Sequence, residues 1–354
     1  MQITKKDVQA VIGTVKKAVA HRAKDAQLVT LSSDGTTLTV SHANGTYWLA
    51  SSTPLAVTGE PLAVTVDADV VKVLSKMRGT ITLTVDANKL IAQDTHGTTI
   101  IPAKSFVPQA HDWQTLATVP AAALIEPLAQ VIFAASTNQA VPALANVLMQ
   151  FGSNGIRATA TNGAVIAHAH YASERLPNAT LLIPAAGVQT LVDLAPSGEI
   201  HIYTDATHTV RLIFGNTTMD LTLFDIKKYP PALLVQDKQG VPILNVSRKA
   251  LKTALDRIAL AYGDGDARTV RLVLADGTAK LIAAATSRVD YTLGAAQGEH
   301  DMLLHFDAFV AAVKASPDED FTLLARENGL IMLGAMAQYT LATVREVVKN
   351  GRFT

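Results

Sequence analysis

The chain has no cysteine among its 354 residues, which excludes disulfides, thiolate metal sites and a cysteine nucleophile. Aromatic residues are scarce at 5%, so the cores must be built from Ala, Val, Leu and Ile. Neither charge is in excess: 30 Lys plus Arg face 30 Asp plus Glu, and net charge gives no argument for a nucleic-acid or membrane partner. No apolar run is long enough to span a bilayer, and the N-terminal Met-Gln-Ile-Thr-Lys-Lys-Asp lacks the hydrophobic core of a signal peptide. These absences predict a soluble, cytoplasmic protein without membrane contact. Catalytic signatures are missing as well, with no P-loop, GxSxG, GxGxxG or HExxH. His168 and His170 lie two apart on a predicted strand and share a face, but no third ligand joins them, and surface or part-buried histidines are the better reading. Gly263-Asp264-Gly265-Asp266 resembles a fragment of a calcium loop, yet the later ligands and the terminal Glu are absent, so a hairpin loop accounts for it better. No cofactor, metal or catalysis is expected.

What is present is strand-forming sequence. A hydrophobic content of 49% with 17% charged residues describes a folded protein, and the length suggests two or three domains. The stretch Asn154 to His170 sets the pattern. Asn154-Gly155 and Asn162-Gly163 read as tight turns with positive φ, and between them Ile156, Ala158 and Ala160 alternate with Arg157, Thr159 and Thr161, a strand. Similar units lie on both sides. Val8, Val11, Ile12, Val15 and Val19 predict a helix over Asp7 to Ala20, and a second is expected from Asp67 to Met77. Pro120 and Pro184 are placed at helix starts, with Pro127 expected to kink or shorten the first of these. Ser247 is a candidate N-cap, and Asp307 begins the last helix. Aligning the helices gives a repeat of roughly 120 residues, too long for a solenoid, so each copy is a domain. The predicted fold class is α+β: three tandem copies of a unit with two helices and about eight strands, at 1–116, 117–241 and 242–354, with helices on one face of the sheets.

Charge is unevenly placed. The six helices and their immediate ends hold about thirteen Lys or Arg against about seven acids, in a chain that is balanced overall. Lys5, Lys16 and Lys17 lie on the first helix, Lys72 and Lys76 on the second, and Arg248, Lys249 and Lys252 on the first helix of the third copy. This pattern fits either solvated helix faces or a surface tracking a phosphate backbone.

Three consecutive two-helix domains of this size resemble the bacterial sliding clamp, the β subunit of the replicative DNA polymerase. Local sequence carries the resemblance too. Ile156 to Ala167 (IRATATNGAVIA) follows the family's L-x-A-T-D-G-H-R-L-A, and Arg175-Leu176-Pro177 leading to Leu182 through Val188 is similar to its passage into the next helix. Phe106-Val107-Pro108 through Asp112-Trp113 resembles its F-P-x-x-x-x-W, and Tyr229-Pro230 its F-P. The match covers essentially the whole chain. It implies a head-to-tail homodimeric ring, helices inside and sheets outside, that encircles double-stranded DNA without reading its sequence. Its partners would be DNA polymerase, the clamp loader and other proteins carrying a short clamp-binding motif.

Carried over by position, the resemblance adds Arg22 to the DNA-facing set. It implies a partner-peptide cleft walled by Leu144, Thr161, Gly163, Val165, Ile166, Pro230, Val235, Leu341 and Val344. It also implies a dimer contact between a first-domain edge strand at Thr99, Ile100 and Ile101 and the third domain near Leu260 and Ala261. The sequence departs from the family at three places. Ala164-Val165 replaces His-Arg, Pro142-Ala143 replaces an aromatic pair, and the chain continues beyond the usual Met-Pro-Met-Arg-Leu ending. A divergent clamp fits, one encoded by a phage or present as a second copy. The other classes open to the sequence are an enzyme with an interdomain active site and an assembly protein reusing the repeat without DNA.

Overall fold

The computed structural model describes residues 1–20, 28–104, 112–138, 140–205, 208–230, 239–344, 348–349 and 352–353. Arg22, Phe106-Val107-Pro108 and Val235 lie outside the described residues. One element order, β-α-β-β-β-β-α-β-β-β, occurs three times. The first pass is β1 (Gln2–Thr4), α1 (Lys5–Ala20), β2 (Leu28–Ser33), β3 (Thr37–Ala43), β4 (Tyr47–Pro54), β5 (Leu62–Asp67), α2 (Val70–Lys76), β6 (Thr80–Asp86), β7 (Lys89–Asp94) and β8 (Gly97–Lys104). The second is β9 (Gln114–Pro120), α3 (Ala121–Val131), β10 (Asn146–Gly152), β11 (Gly155–Thr161), β12 (Val165–Tyr171), β13 (Ala179–Pro184), α4 (Ala185–Leu194), β14 (Glu199–Thr204), β15 (Thr209–Phe214) and β16 (Thr217–Thr222). The third is β17 (Val241–Ser247), α5 (Arg248–Ile258), β18 (Thr269–Ala275), β19 (Thr278–Ala284), β20 (Arg288–Ala295), β21 (His300–His305), α6 (Phe306–Ala315), β22 (Asp320–Arg326), β23 (Gly329–Leu333) and β24 (Ala337–Ala342). The mixed architecture is therefore the expected α+β one.

Contacts divide the chain into two compact units. The first, Met1–Ile125 with Ala186–Phe224, holds a twelve-stranded sheet in the order β1-β6-β7-β8-β5-β2-β3-β4-β16-β15-β14-β9. The second, Glu126–Ala185 with Asp225–Thr354, holds an eight-stranded sheet, β13-β10-β11-β12-β24-β23-β22-β17, and a four-stranded one, β20-β19-β18-β21. Two junctions join strands of different copies. β4 pairs with β16, aligning Leu49 with Met219, and β12 pairs with β24, aligning Val165 with Leu341.

Local chemistry explains where elements start and stop. α1 buries Val8, Val11, Ile12 and Val15 and packs on β3 and β4, while Asp7 accepts from the Thr4 amide at 2.8 Å. α2 starts at Val70, later than the expected Asp67, because Asp67 is held in β5 opposite Leu28. Pro120 and Pro184 end strands, paired with Glu199 and Asn146, and the helices begin one residue later. α3 continues four residues past Pro127 and tightens into a 3-10 turn at Ile132–Ala134. Ser247 is the N-cap of α5, its Oγ accepting from the Ala250 amide at 3.2 Å. Trp113 has an identifiable role: the Arg211 guanidinium lies 4.1 Å over its ring and is held by two 2.7 Å hydrogen bonds to Asp220. No helix among the described residues is long and apolar enough to cross a membrane.

Candidate nucleic-acid and partner-binding surfaces

The helical charge survives as a structural fact. Within the six helices eleven Lys or Arg stand against five Asp or Glu. It is also confined, since α3 and α4 carry no cation and hold only Glu126 and Asp193. Lys16 and Lys17 are exposed on the side of α1 away from its apolar stripe, and the Lys17 Nζ donates to the Asp193 carbonyl at 3.1 Å. Lys76, Lys249 and Lys252 are exposed, and Lys5 is half-buried. Lys72 forms an exposed 2.7 Å ion pair with Asp69, an arrangement that contributes little to stability. Arg248 is placed differently from the expectation. Its Nη1 donates to the Ser316 carbonyl at 2.7 Å, closing the C-terminal end of α6, so part of its guanidinium is committed to packing.

The register sorts the cleft residues into two faces. Thr161, Ile166 and Thr340 are directly opposite one another on β11, β12 and β24, so they share one face. Ile166 and Thr340 are half-buried there. Val165 and Leu341 pair on the other face, where Tyr339 packs against Phe133 with ring centroids 5.8 Å apart. Both are 1% exposed. Val165 and Leu341 are thus core residues, and Thr340 is the β24 side chain that stands beside Ile166. Sequence position alone missed Thr340, because one residue along a strand changes the face.

The loop between β11 and β12 is closely held. The Thr161 hydroxyl donates to the Val165 carbonyl at 2.8 Å and accepts from the Gly163 amide, while Asn162 Oδ1 accepts from the amides of Ala164 and Val165. Gly163 has φ +91° with nothing within 4 Å of a built Cβ, so it serves the turn conformation and not a close approach within the chain. Leu144 is half-buried in the 3-10 turn Pro142–Ala145, and Pro230 is half-buried after the buried Tyr229. Val344 lines a concavity of about 660 Å³ with Val241, Arg271, His300, Met302 and Thr343. The turn before β11 also differs from the expectation. Gly152 pairs with Gly155, so Ser153-Asn154 form the loop and Gly155 opens the strand with φ +123°.

His168 sits on Ile166's face but is 5% exposed, with Nδ1 2.9 Å from the Thr159 hydroxyl. Burial, reinforced by the charge of Arg157, pushes its pKa down to about 4. Its ring is a neutral core group. Asp266 of the glycine loop accepts from the Gly263 amide and the Thr286 hydroxyl, a loop-closing role.

Among the described residues several strands end a sheet, and two open edges, in β8 and β20, are of the kind that joins one copy to the next elsewhere in the chain. From Gly97 to Pro102, β8 pairs only with β7, since β5 reaches only Ala103 and Lys104. Ile100 in this segment is 58% exposed. β20 is an outer strand of its sheet. In the 3-10 turn Ala259–Ala261 that packs beside it, Leu260 is 75% exposed, but Ala261 is fully buried and belongs to the core rather than to a contact surface.

No protein-family model and no curated protein matches the sequence. Solved structures do match the fold. The DNA polymerase III subunit β from Pseudomonas aeruginosa superposes with a TM-score of 0.85 at 17% identity, over 98% of this chain and 99% of that one. The DNA polymerase III β subunit from Thermotoga maritima gives 0.82 at 16% identity, over 98% and 99%. The β subunit of the Streptococcus pyogenes DNA polymerase gives 0.83 at 13% identity, over 97% and 99%. The chain has the sliding-clamp fold along nearly its whole length.

Proposed function

We propose that this chain, having the fold of the DNA polymerase III β sliding clamps, works as one: a non-catalytic processivity factor that encircles duplex DNA in the bacterial cytoplasm. The observation that carries this reading is the pattern of filled and unfilled strand edges. The third strand after the first helix of a copy pairs with the last strand of the next copy, as β4 does with β16 and β12 with β24. By the same rule β20 needs the last strand of a further copy, and the only first-pass equivalent left open is β8 over Gly97 to Pro102. Two chains pairing β20 with β8 in both directions would close a ring of six repeats, leaving no open heterologous edge. Each chain would then contribute domains 1–116, 117–241 and 242–354, with Thr99, Ile100 and Ile101 meeting β20 and Leu260 at the rim.

Duplex DNA would be held by encirclement plus weak phosphate contacts from Lys16, Lys17, Lys76, Lys249 and Lys252. Such contacts carry no sequence information and so permit sliding. The absence of cations from α3 and α4 means that first- and third-copy helices make these contacts. Polymerase and loader peptides would dock where Ile166 and Thr340 stand side by side next to the buried Thr161, with Leu144 and Pro230 as further wall candidates. The cleft suits an apolar anchor, since the position of the family's arginine is the buried Val165.

The test is topological. Sedimentation should show a dimer, and the loaded protein should remain on nicked circular DNA and be lost when that DNA is linearised. Equal loss from both forms would overturn the clamp reading in favour of an assembly protein that does not use DNA. Reversing Lys16 and Lys17 to Glu should lower retention, with a salt slope smaller by about two; an unchanged slope would remove α1 from the DNA contact. Ile166→Asp should weaken a bound polymerase peptide by at least about tenfold while the dimer sediments as before. Unaltered peptide affinity would move the cleft elsewhere.

A further inference from the structure

The first helices of the copies end alike, but the charges around those ends do not. Thr4 and Ser247 cap α1 and α5 in the same way, each hydroxyl accepting at 3.2 Å from the amide three residues on. Counted from the caps, Leu260 stands where Lys17 does. The next carbonyl, of Ala18 or Ala261, accepts from the start of β4 or from just before β20, through Tyr47 Oη at 3.1 Å or the Ser287 amide at 3.0 Å. Lys17 meets the last turn of the next copy's second helix, its Nζ donating to the Asp193 carbonyl at 3.1 Å. The 3-10 turn that follows α3 likewise packs on α6. In a closed ring the corresponding neighbour of Leu260 is α2 of a second chain. The join inside the first unit therefore sets cations against the Asp193 end of a helix without Lys or Arg, and the join between chains does the opposite. Arg257 is exposed one turn before Leu260, and Lys76 is exposed in the last turn of α2. The four helices of the first and third copies hold eleven Lys or Arg against Asp7, Asp256 and Asp307. Those two copies are also the ones that carry the open edges of β8 and β20.

Like charges gathered on both sides of a join repel over the screening length, about 10 Å at 0.1 M salt. A duplex carries one negative charge per about 1.7 Å of its axis, and lying in the hole it faces both sides of the join at once. Resting on the reading of this chain as a ring-forming clamp, we infer that duplex DNA is itself the clasp of the subunit join. Repulsion between the basic helices of the two chains loosens the free dimer, and the phosphates between them tighten it. Linkage makes the effect reciprocal, since a polyanion that binds the paired chains better than the separate ones strengthens the pairing by the same factor. The second copy is joined to its neighbours by continuous chain and needs no such clasp, and its helices carry no cation.

The experiment measures dissociation of the full-length dimer by sedimentation of a fluorescently labelled sample on dilution. It is run with and without a blunt duplex of about 20 base pairs, two helical turns, which enters a ring without a loader. In the absence of DNA, raising NaCl from about 0.1 M to about 1 M shortens the screening length to about 3 Å and should tighten the dimer by at least about tenfold. At the lower salt the duplex should tighten it by a similar factor, and that gain should fade as salt rises. Lys249→Gln combined with Lys252→Gln should tighten the free dimer, flatten its salt response and shrink the gain from DNA. Lys227→Gln, which removes an exposed cation of the second copy outside its helices, should alter none of the three. A dimer that stays on nicked circular DNA but dissociates equally with and without the duplex, or that salt weakens, would overturn the inference and leave the clamp reading standing. A chain that forms no dimer at any concentration would overturn both.

Discussion

Lowering the pH from 7.5 to 5 is expected to remove about 2 kcal/mol of folding stability through His168 alone, and about 3 kcal/mol once the pH reaches its folded pKa. The sign follows from burial. The ring's pKa falls from 6.5 to about 4 on folding, so between those values the unfolded chain binds a proton that the folded chain refuses. Stability is therefore unaffected by this group above pH 6.5 and is lost progressively below it. His42 acts in the same direction, its pKa lowered by desolvation. The carboxylates held below their usual range by backbone donors, Asp34, Asp94 and Asp266, begin to matter only as the pH falls through their unfolded value of 3.8. The window from 6.5 to 4.5 thus belongs to buried histidine. Urea midpoints at pH 7.5 and 5 measure the loss, and His168→Gln, which can still reach the Thr159 hydroxyl, should remove most of it. An identical pH dependence in that variant would show that His168 is protonated in the folded protein after all.

Gly155→Ala is expected to destabilise the chain by about 4 kcal/mol. Two independent effects add. At φ +123° an L side chain is strained, and a Cβ built there would lie 2.0 Å from the Tyr171 carbonyl oxygen and 2.7 Å from the Ser173 amide nitrogen. Both obstacles are backbone, so neither can swing aside. Gly163→Ala provides the control, since its φ is +91° but nothing lies within 4 Å of the added methyl; its loss should be only about 1 kcal/mol. Thermal or urea unfolding of the pair decides the matter. Equal losses would mean that the β11 entrance rearranges to admit a side chain.

The same stretch shows what was legible in sequence. The turn residues, the strand between them and its place in a threefold repeat could all be read from Asn154 to His170, because turn chemistry and side-chain period are local. The loop centre slipped by one residue, since Gly152 and not Asn154 closes the pairing. The alternation of Ile156, Ala158 and Ala160 with Arg157, Thr159 and Thr161 correctly identified a strand, but only Arg157 escapes burial within β11. Period two says that a strand has two faces and is silent on whether one or both are covered.

By itself, the sequence determined the two helices of each copy, the α+β class, the cap at Ser247, the apolar stripe of α1 and the basic bias of the helices. Each depends on residues within a few positions of one another. Tertiary structure alone decided that β12 meets β24 with Ile166 opposite Thr340, that Val165 and Ala261 are core, that Arg248 holds the end of α6, and that β20 and part of β8 are left open. Those outcomes depend on contacts between residues distant in sequence, 68 positions apart for Arg248 and Ser316 and farther still for Ile166 and Thr340. A one-residue change in such a register exchanges every surface residue for a buried one, and no local pattern reports it.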